Sequence, residues 1–548
     1  MTRRLALAAL LALLAIGQVL QDPTGAVSPR FFPDDPIAID PETQDASNVE
    51  PWDLSDQYDF VENTFFKPSD RRDTRALNVN TIDEVPDSSW YTNRLGLHPV
   101  SLDEIVRGPM ERAAPGGPWT VIGGKTEGIS PGLRLRDPEG TRYFIKFDPP
   151  DNPEMASGAE VIATRFLHAL GYHVPENYLI VLRPGELAID PDARTVGPDG
   201  RPRAITRDDL ERLFSSVAGN EEGGYRAVAS KGLSGEDLGP FRYYGTRPDD
   251  PNDIFPHEHR RELRGLRVFA AWLNHDDSRS INTRDFLVRR SGRAIVWHHL
   301  LDFGSTLGSG STQAQKPRAG NEYMWEARPT FVTMLTLGFY VRPWLKVEYP
   351  DIPAVGRIEA DFFQPERWKP EYPNPAFDNV RPDDAFWAAR RLAEISDDTI
   401  RAVVETGAYT DPRATEYLTG VLIKRRDKIL ARWLNLVLPV VDVALRPDGR
   451  LTFRNISVEK GAATPPAEYR IRWARYDNAA DSATFLDGEQ VVTATEAAAP
   501  SDVLDGSFVV AELRAEHPGH PAWSTPTRVY FRRQAAGWET VGIERQAN

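Results

Sequence analysis

The run His275-Asp276-Asp277-Ser278-Arg279-Ser280-Ile281-Asn282 sets two adjacent carboxylates, a guanidinium and an amide close together, and Asp302-Phe303-Gly304 follows a short way downstream. Lys146 sits earlier, in the alternating run Arg142-Tyr143-Phe144-Ile145-Lys146-Phe147, and Glu160 lies in the next helix-patterned segment. Carboxylate and amide oxygens are the ligands that hard divalent cations take. A lysine ammonium is a compact charge suited to phosphate oxygens, and a carboxylate beside a hydroxyl can accept or orient its proton. Together these are the parts that phosphoryl transfer needs, because that chemistry is mostly positioning and charge neutralisation. Singly, each has an ordinary explanation: a turn pair of aspartates, a solvated strand lysine, a chance tripeptide. Order along the chain is what distinguishes them.

The elements that must position these groups can be read from periodicity. Trp119-Thr120-Val121-Ile122, Leu133-Arg134-Leu135-Arg136 and Arg142 to Phe147 alternate as strands, the last two joined by the turn Asp137-Pro138-Glu139-Gly140. A helix is expected from Glu154 to Leu170, with Ala159, Ile162, Phe166, Leu167 and Leu170 as its apolar face and Gly171 ending it. Tyr178 to Leu182 is the next strand. Between the first two strands lies Gly123-Gly124-Lys125-Thr126-Glu127-Gly128, where Gly124 and Gly128 could bring backbone N–H groups to phosphates. Residues 190–255 read as polar connection with one short helix near Asp208 to Ser216, and a strong helix from His257 to Leu273 leads into the His275 run. Phe286-Leu287-Val288 and Ala294-Ile295-Val296-Trp297 form a hairpin turning at Ser291-Gly292 and delivering Asp302. Helices are expected over Asp384 to Thr406 and Asp411 to Trp433. Short alternating strands follow at Val440–Leu445, Leu451–Ile456, Tyr469–Tyr476, Phe508–Glu516 and Thr527–Arg532.

Over roughly residues 118–435 this order resembles the protein-kinase-like superfamily: strand lysine, helix glutamate, His-x-Asp-x4-Asn loop, then Asp-Phe-Gly. The long hairpin before Asp302 is similar to the atypical HipA-type and phosphoinositide-kinase catalytic cores. The resemblance implies a bilobal α+β fold and an ATP site with Mg2+ or Mn2+. Lys146 would hold the α/β-phosphates, Glu160 (with Glu154 as fallback) would orient Lys146, and Asn282 and Asp302 would bind metal. Asp277 would be the base, and Arg279 would reach the γ-phosphate. Asp276 stands where kinases usually carry arginine, so the choice between Asp276 and Asp277 is open. Gly124-Lys125-Thr126 lacks the first glycine of a Walker loop, since Trp119 stands there. His257-Glu258-His259-Arg260-Arg261 lacks the second histidine of a zinc-protease helix. These are expected to be a glycine turn and a helix start with solvated charges. Of His298-His299 one is expected in the core and one at the surface. Arg260, Arg261, Arg264 and Arg267 are expected to form a solvated or salt-bridged helix face.

Composition sets the outer limits. With 548 residues, 41% apolar residues and 13 Trp, the chain can build several cores, and a formal charge of −15 disfavours nucleic acid as a partner. With no Cys, disulfides, thiolate metal sites and a cysteine nucleophile are excluded. Met1-Thr2-Arg3-Arg4 followed by the apolar run Leu5 to Leu20 reads as an export signal or an uncleaved anchor, the only membrane-directed segment expected. The expected organisation is a leader at 1–22, an extended arm at 23–105 and a kinase-like N-lobe at 106–185. A C-lobe at 186–435 and an immunoglobulin- or fibronectin-III-like β-sandwich at 436–548 complete it. The function that follows is an exported, periplasmic or extracellular, ATP/Mg-dependent phosphotransferase acting on a protein or glycan hydroxyl. AMP transfer is a variant of that chemistry, and a pseudokinase scaffold or binding protein at the cell envelope is the alternative.

Overall fold

The computed structural model describes residues 28–125, 131–197, 199–337 and 339–546. The expected leader and Gly128 lie outside the described residues. The chain is α+β, with one large mixed sheet, a helical body and a C-terminal pair of antiparallel sheets.

The large sheet has seven strands in the order β4-β7-β3-β2-β1-β5-β6. They are β1 (Trp119–Gly124), β2 (Gly132–Arg136), β3 (Arg142–Phe147), β4 (Asn177–Leu182), β5 (Leu187–Val196), β6 (Pro202–Ala204) and β7 (Tyr225–Lys231). The β2–β3 turn closes because Asp137 accepts hydrogen bonds from the Glu139 and Thr141 amides at 3.0 and 2.8 Å, the local bond that suits aspartate to turns. Alternation in β3 sends Tyr143, Ile145 and Phe147 into the core and leaves Phe144 and Lys146 on the opposite face. β7 inserts between β3 and β4, pairing Lys146 with Val228. β5 runs parallel to β1. The sheet therefore continues to Lys231, past the expected lobe boundary at 185. β5 was hidden because it carries Asp190, Pro191 and Asp192, and most of its residues are not buried.

Helix α1 (Met155–Ala169) packs on this sheet and on helix α2 (Arg261–Leu273). The expected helix from Asp384 to Thr406 is two helices, α3 (Pro382–Leu392) and α4 (Asp397–Glu405). Ser396 caps the second by accepting from the Thr399 amide at 3.1 Å. Helix α5 (Pro412–Trp433) completes the body. Strands β8 (Glu236–Gly239), β9 (Thr283–Arg290) and β10 (Arg293–Leu300) form a separate small sheet, with β9 and β10 in unbroken antiparallel register.

Of the two forms expected for the arginine face of α2, solvated or salt-bridged, the structure has the salt-bridged one, and Arg260, Arg261 and Arg264 are buried. Arg261 is wholly buried and bonds the Asp83 carbonyl at 3.0 Å, Asp383 at 2.7 Å and Asp384 at 3.0 Å, while Arg264 takes the other Asp384 oxygen at 3.0 Å. His257, Glu258 and His259, expected as solvated charges, are also buried: His257 meets Asp253 at 2.7 Å, and Glu258 accepts from the Asp70 and Gly245 amides. Both His298 and His299 are buried. His298 stacks on Trp90 with ring centroids 3.5 Å apart and bonds Asp285 at 2.7 Å, while His299 packs edge-on against Phe286 with centroids 5.7 Å apart, so ring contacts on both faces of the strand cover each imidazole.

The N-terminal segment binds every other part. Phe31 packs among Tyr476, Val510, Tyr530 and Val541, Ala46 and Val49 pack with Leu238 and Val296, and Trp90 and Tyr91 enter the main core. Residues 440–545 form two antiparallel sheets over a shared core that includes Val443, Leu451, Trp473, Val509 and Phe531.

Replacing Arg261 by Met takes a buried cation from three buried carboxylates, each left with weaker or fewer partners. Chemical denaturation is expected to show a loss of about 3–5 kcal/mol, whereas Arg72→Ala, which breaks an exposed pair with Asp70, leaves the unfolding midpoint in place.

Candidate active site

The hairpin β9–β10 fixes the geometry of the cleft. Thr283 pairs with Leu300 at its base, so the residues just outside, Asn282 and Leu301, emerge side by side, and the Leu301 amide donates to the Asn282 carbonyl at 2.9 Å. Asp302 follows in a left-handed conformation (φ 59°), one that aspartate tolerates better than most residues. The Lys146 ammonium, arriving from β3, donates to Asp302 Oδ1 at 2.8 Å and to Glu160 Oε2 at 3.0 Å. Glu160 is buried on α1, and its second oxygen accepts from the Phe303 amide at 3.1 Å and from Asn177 at 3.2 Å. A Cβ at Gly304 would sit 3.2 Å from Glu160 and 3.1 Å from the Ser311 hydroxyl, which accounts for glycine there. Glu154 is not a partner of Lys146. It precedes α1 in a left-handed conformation and accepts from Thr410.

The catalytic-loop candidates lie on the other wall. The Asn282 amide nitrogen donates to the Asp277 carbonyl at 2.8 Å, so its oxygen is the end left for a cation. Asp277 pairs with Arg279, and Arg279 also reaches Asp56 at 3.2 Å and Glu371 at 3.5 Å. Arg279 is thus engaged by three carboxylates. Asp276 instead accepts from Gln315 Nε2 at 2.5 Å, and that same nitrogen donates to the Asn274 and Ser305 carbonyls at 3.2 Å. His275 packs edge-on against the buried Phe303 ring at 5.9 Å, joining this loop to the Asp302 turn.

These groups surround one cleft of about 810 Å³, a size that takes a nucleotide-sized ligand. Lys146, Glu160, Asp276, Asp277, Arg279, Asn282 and Asp302 all line it. Leu133, Phe144, Leu233 and Phe286 give it an apolar side. Gly124 does not line it: it is buried at the end of β1, where a Cβ would meet the Thr195 hydroxyl at 2.5 Å, so its smallness serves sheet packing. Lys125, the next residue, does line the cleft. Sequence reasoning missed Asp56, Gln315 and Glu371, which also line it. They sit in segments without strand or helix periodicity, and only the Asp56/Asp59 acid pair opening a short helix (Asp56–Val61) offered a signal.

The electrostatics separate the three aspartates. Burial would raise Asp302, but Lys146, with help from Lys125 and His275, holds its carboxyl below the usual range. Burial pushes Asp277 up to about 7, with the Asp302 and Glu371 charges adding to it and Arg279 opposing. Burial, then Asp277 and Glu371, drive Asp276 well above the usual range. Burial lowers His275 to about 4. Among the described residues no cluster of three or more His, Cys, Asp or Glu forms a protein-only metal cage. An ionised Asp302 beside an amide oxygen nevertheless fits Mg2+ or Mn2+, which commonly takes one or two protein oxygens and completes its shell with phosphates and water.

No protein-family model matches the chain, and no curated protein matches it. Solved structures similar to it include a Helicobacter pylori proinflammatory kinase, CtkA (TM-score 0.30, 13% identity, covering 56% of this chain and 90% of that one). A Golgi casein kinase with Mn/ADP bound is also similar (TM-score 0.30, 11% identity, 74% and 98%). A second structure of the Golgi casein kinase scores 0.29 at 11% identity, with 74% and 97% coverage. At these scores the likeness is too loose to decide a fold or a function.

The raised Asp277 has a consequence for stability. Its neutral form is favoured in the folded chain, so its contribution is fully present below the unfolded carboxylate range and disappears as pH rises through about 7. Unfolding free energies of the ligand-free protein between pH 4 and 8 are expected to fall more steeply in wild type than in Asp277→Asn.

Proposed function

We propose that the chain is an ATP- and divalent-metal-dependent phosphotransferase with a protein-kinase-like active site and a protein or glycan hydroxyl as acceptor. The observation that carries this is the Lys146 ammonium shared between Glu160 on α1 and Asp302 beside Asn282, in a cleft that also holds Asp277. Few structural needs would place a strand lysine, a helix carboxylate and a loop carboxylate around one solvent-facing cavity. Phosphoryl transfer needs that set.

Lys146 keeps Glu160 and gives up its Asp302 contact to α/β-phosphate oxygens when nucleotide enters. A divalent ion on Asp302 and Asn282 would neutralise the phosphate oxygens during transfer. Asp277 accepts the acceptor hydroxyl's proton as the new O–P bond forms and ADP departs, a role that suits a carboxyl poised near 7. Arg279 orients Asp277 rather than reaching the γ-phosphate directly, given its three carboxylate partners. Asp277 is preferred to Asp276 because Gln315 ties Asp276 into the loop scaffold. The long β9–β10 hairpin supports the HipA-like subtype, and the two C-terminal sheets support an immunoglobulin- or fibronectin-type module. Export rests on the basic and apolar N-terminus, residues 1–20.

The second reading, a nucleotide-binding scaffold that transfers nothing, is favoured by the direct Lys146–Asp302 pair, which occupies the metal ligand. Thermal-shift titration with ATP and Mg2+ or Mn2+, alongside transfer of labelled phosphate, separates the two. Transfer is expected in wild type. In Asp277→Asn it is expected to drop by ~10²–10⁴-fold with the nucleotide shift intact, and in Asp302→Ala both are lost. Unchanged turnover in these variants would sink the assignment.

A further inference from the structure

Over Met324–Leu337 and Phe339–Lys346 the chain runs along the surface with most of its large apolar side chains exposed. The helix Ala327–Leu335 buries none of its residues, although Phe331, Met334 and Leu335 share one helical face. Leu337 and Phe339 are 84% and 87% exposed, and Tyr340, Val341 and Leu345 are exposed as well. The patch continues onto the N-terminal segment, where Phe65 packs on Trp325 with centroids 5.1 Å apart and Phe66 is exposed beside it. A contiguous apolar surface of this kind marks an interaction site rather than the usual scatter of exposed residues.

Its charge indicates the occupant. The chain carries −15 overall, yet Met324–Lys346 holds Arg328, Arg342 and Lys346 against Glu326, with Arg342 paired to Glu322 just before the segment. That acid is taken up by Lys369 at 2.6 Å, while Arg328 and Lys346 are exposed. Large apolar residues, Trp and Tyr at the rim and flanking cations are the composition of a segment lying in a bilayer interface. We propose that Met324–Lys346, with Phe65 and Phe66, docks the protein on an anionic membrane surface. The Met324 amide donates to the carbonyl of Glu371, which lines the cleft, so the docked face adjoins the acceptor side of the site.

The test is co-sedimentation of the full chain with phosphatidylcholine vesicles containing or lacking phosphatidylglycerol. Leu10→Asp and Leu13→Asp are present throughout, so that the N-terminal apolar run does not contribute. Binding to the anionic vesicles is expected. Phe331→Ser/Leu335→Ser/Phe339→Ser should weaken it by about tenfold or more at an unchanged melting temperature, and Arg328→Glu/Lys346→Glu should remove the preference for anionic lipid. Equal binding by these variants, or none by the parent, overturns the proposal. So does a parent dimer that the triple variant converts to monomer, which assigns the face to a second copy. No nucleotide is used, so this outcome is independent of the phosphotransfer assignment.

Discussion

One cation shared by two carboxylates organises the centre of this molecule. Lys146 and Glu160 come from a neighbouring strand and helix and Asp302 from a loop 156 residues beyond Lys146, and their contacts fix those three elements in one arrangement. Burying such charges is costly unless each is paired and its remaining lone pairs are satisfied. The structure meets that condition through Glu160, whose other oxygen is bonded by the Phe303 amide and Asn177. A displaced Lys146 would therefore unsettle the α1 packing and the Asp302 turn together. The partly open Asp302 is the member able to exchange its partner.

The β9–β10 hairpin supplies the second constraint. Its unbroken register converts a sequence interval between Asn282 and Asp302 into spatial adjacency. This part was legible because alternating apolar residues and a Ser-Gly turn carry their own geometry. The same holds for β1 to β4, α1 and most C-terminal strands. What could not be read were features set by distant partners. β7 has no local mark that sends it between β3 and β4, and nothing local in the arginines of α2 tells a solvated face from a buried, salt-bridged one until Asp83 and Asp383 arrive to meet them. Gly124 illustrates the reverse: its glycine character was visible, but its reason, the Thr195 contact, was not.

One wall of the cleft is assembled from segments that lack strand periodicity. Asp56 from the N-terminal arm, Gln315 from the stretch after Gly304 and Glu371 all meet the His275–Asn282 loop through side-chain bonds. Such walls can vary without disturbing the cores, since they lie on parts of the chain that are least constrained by packing.

Arg30 reaches Glu544, and Phe31 lies against Gly542, so the first described residues close onto the last strand. Contacts of this span belong to the start of the arm, and closing so large a loop is entropically slow. The Arg30–Phe31 end of the arm can settle only after the C-terminal sheets have formed, whereas the Asp56 wall needs only the body, where Arg279 and Tyr372 hold it. During synthesis, therefore, the cleft can be walled on every side before the final strand leaves the ribosome, and the seam between the arm and that strand closes last.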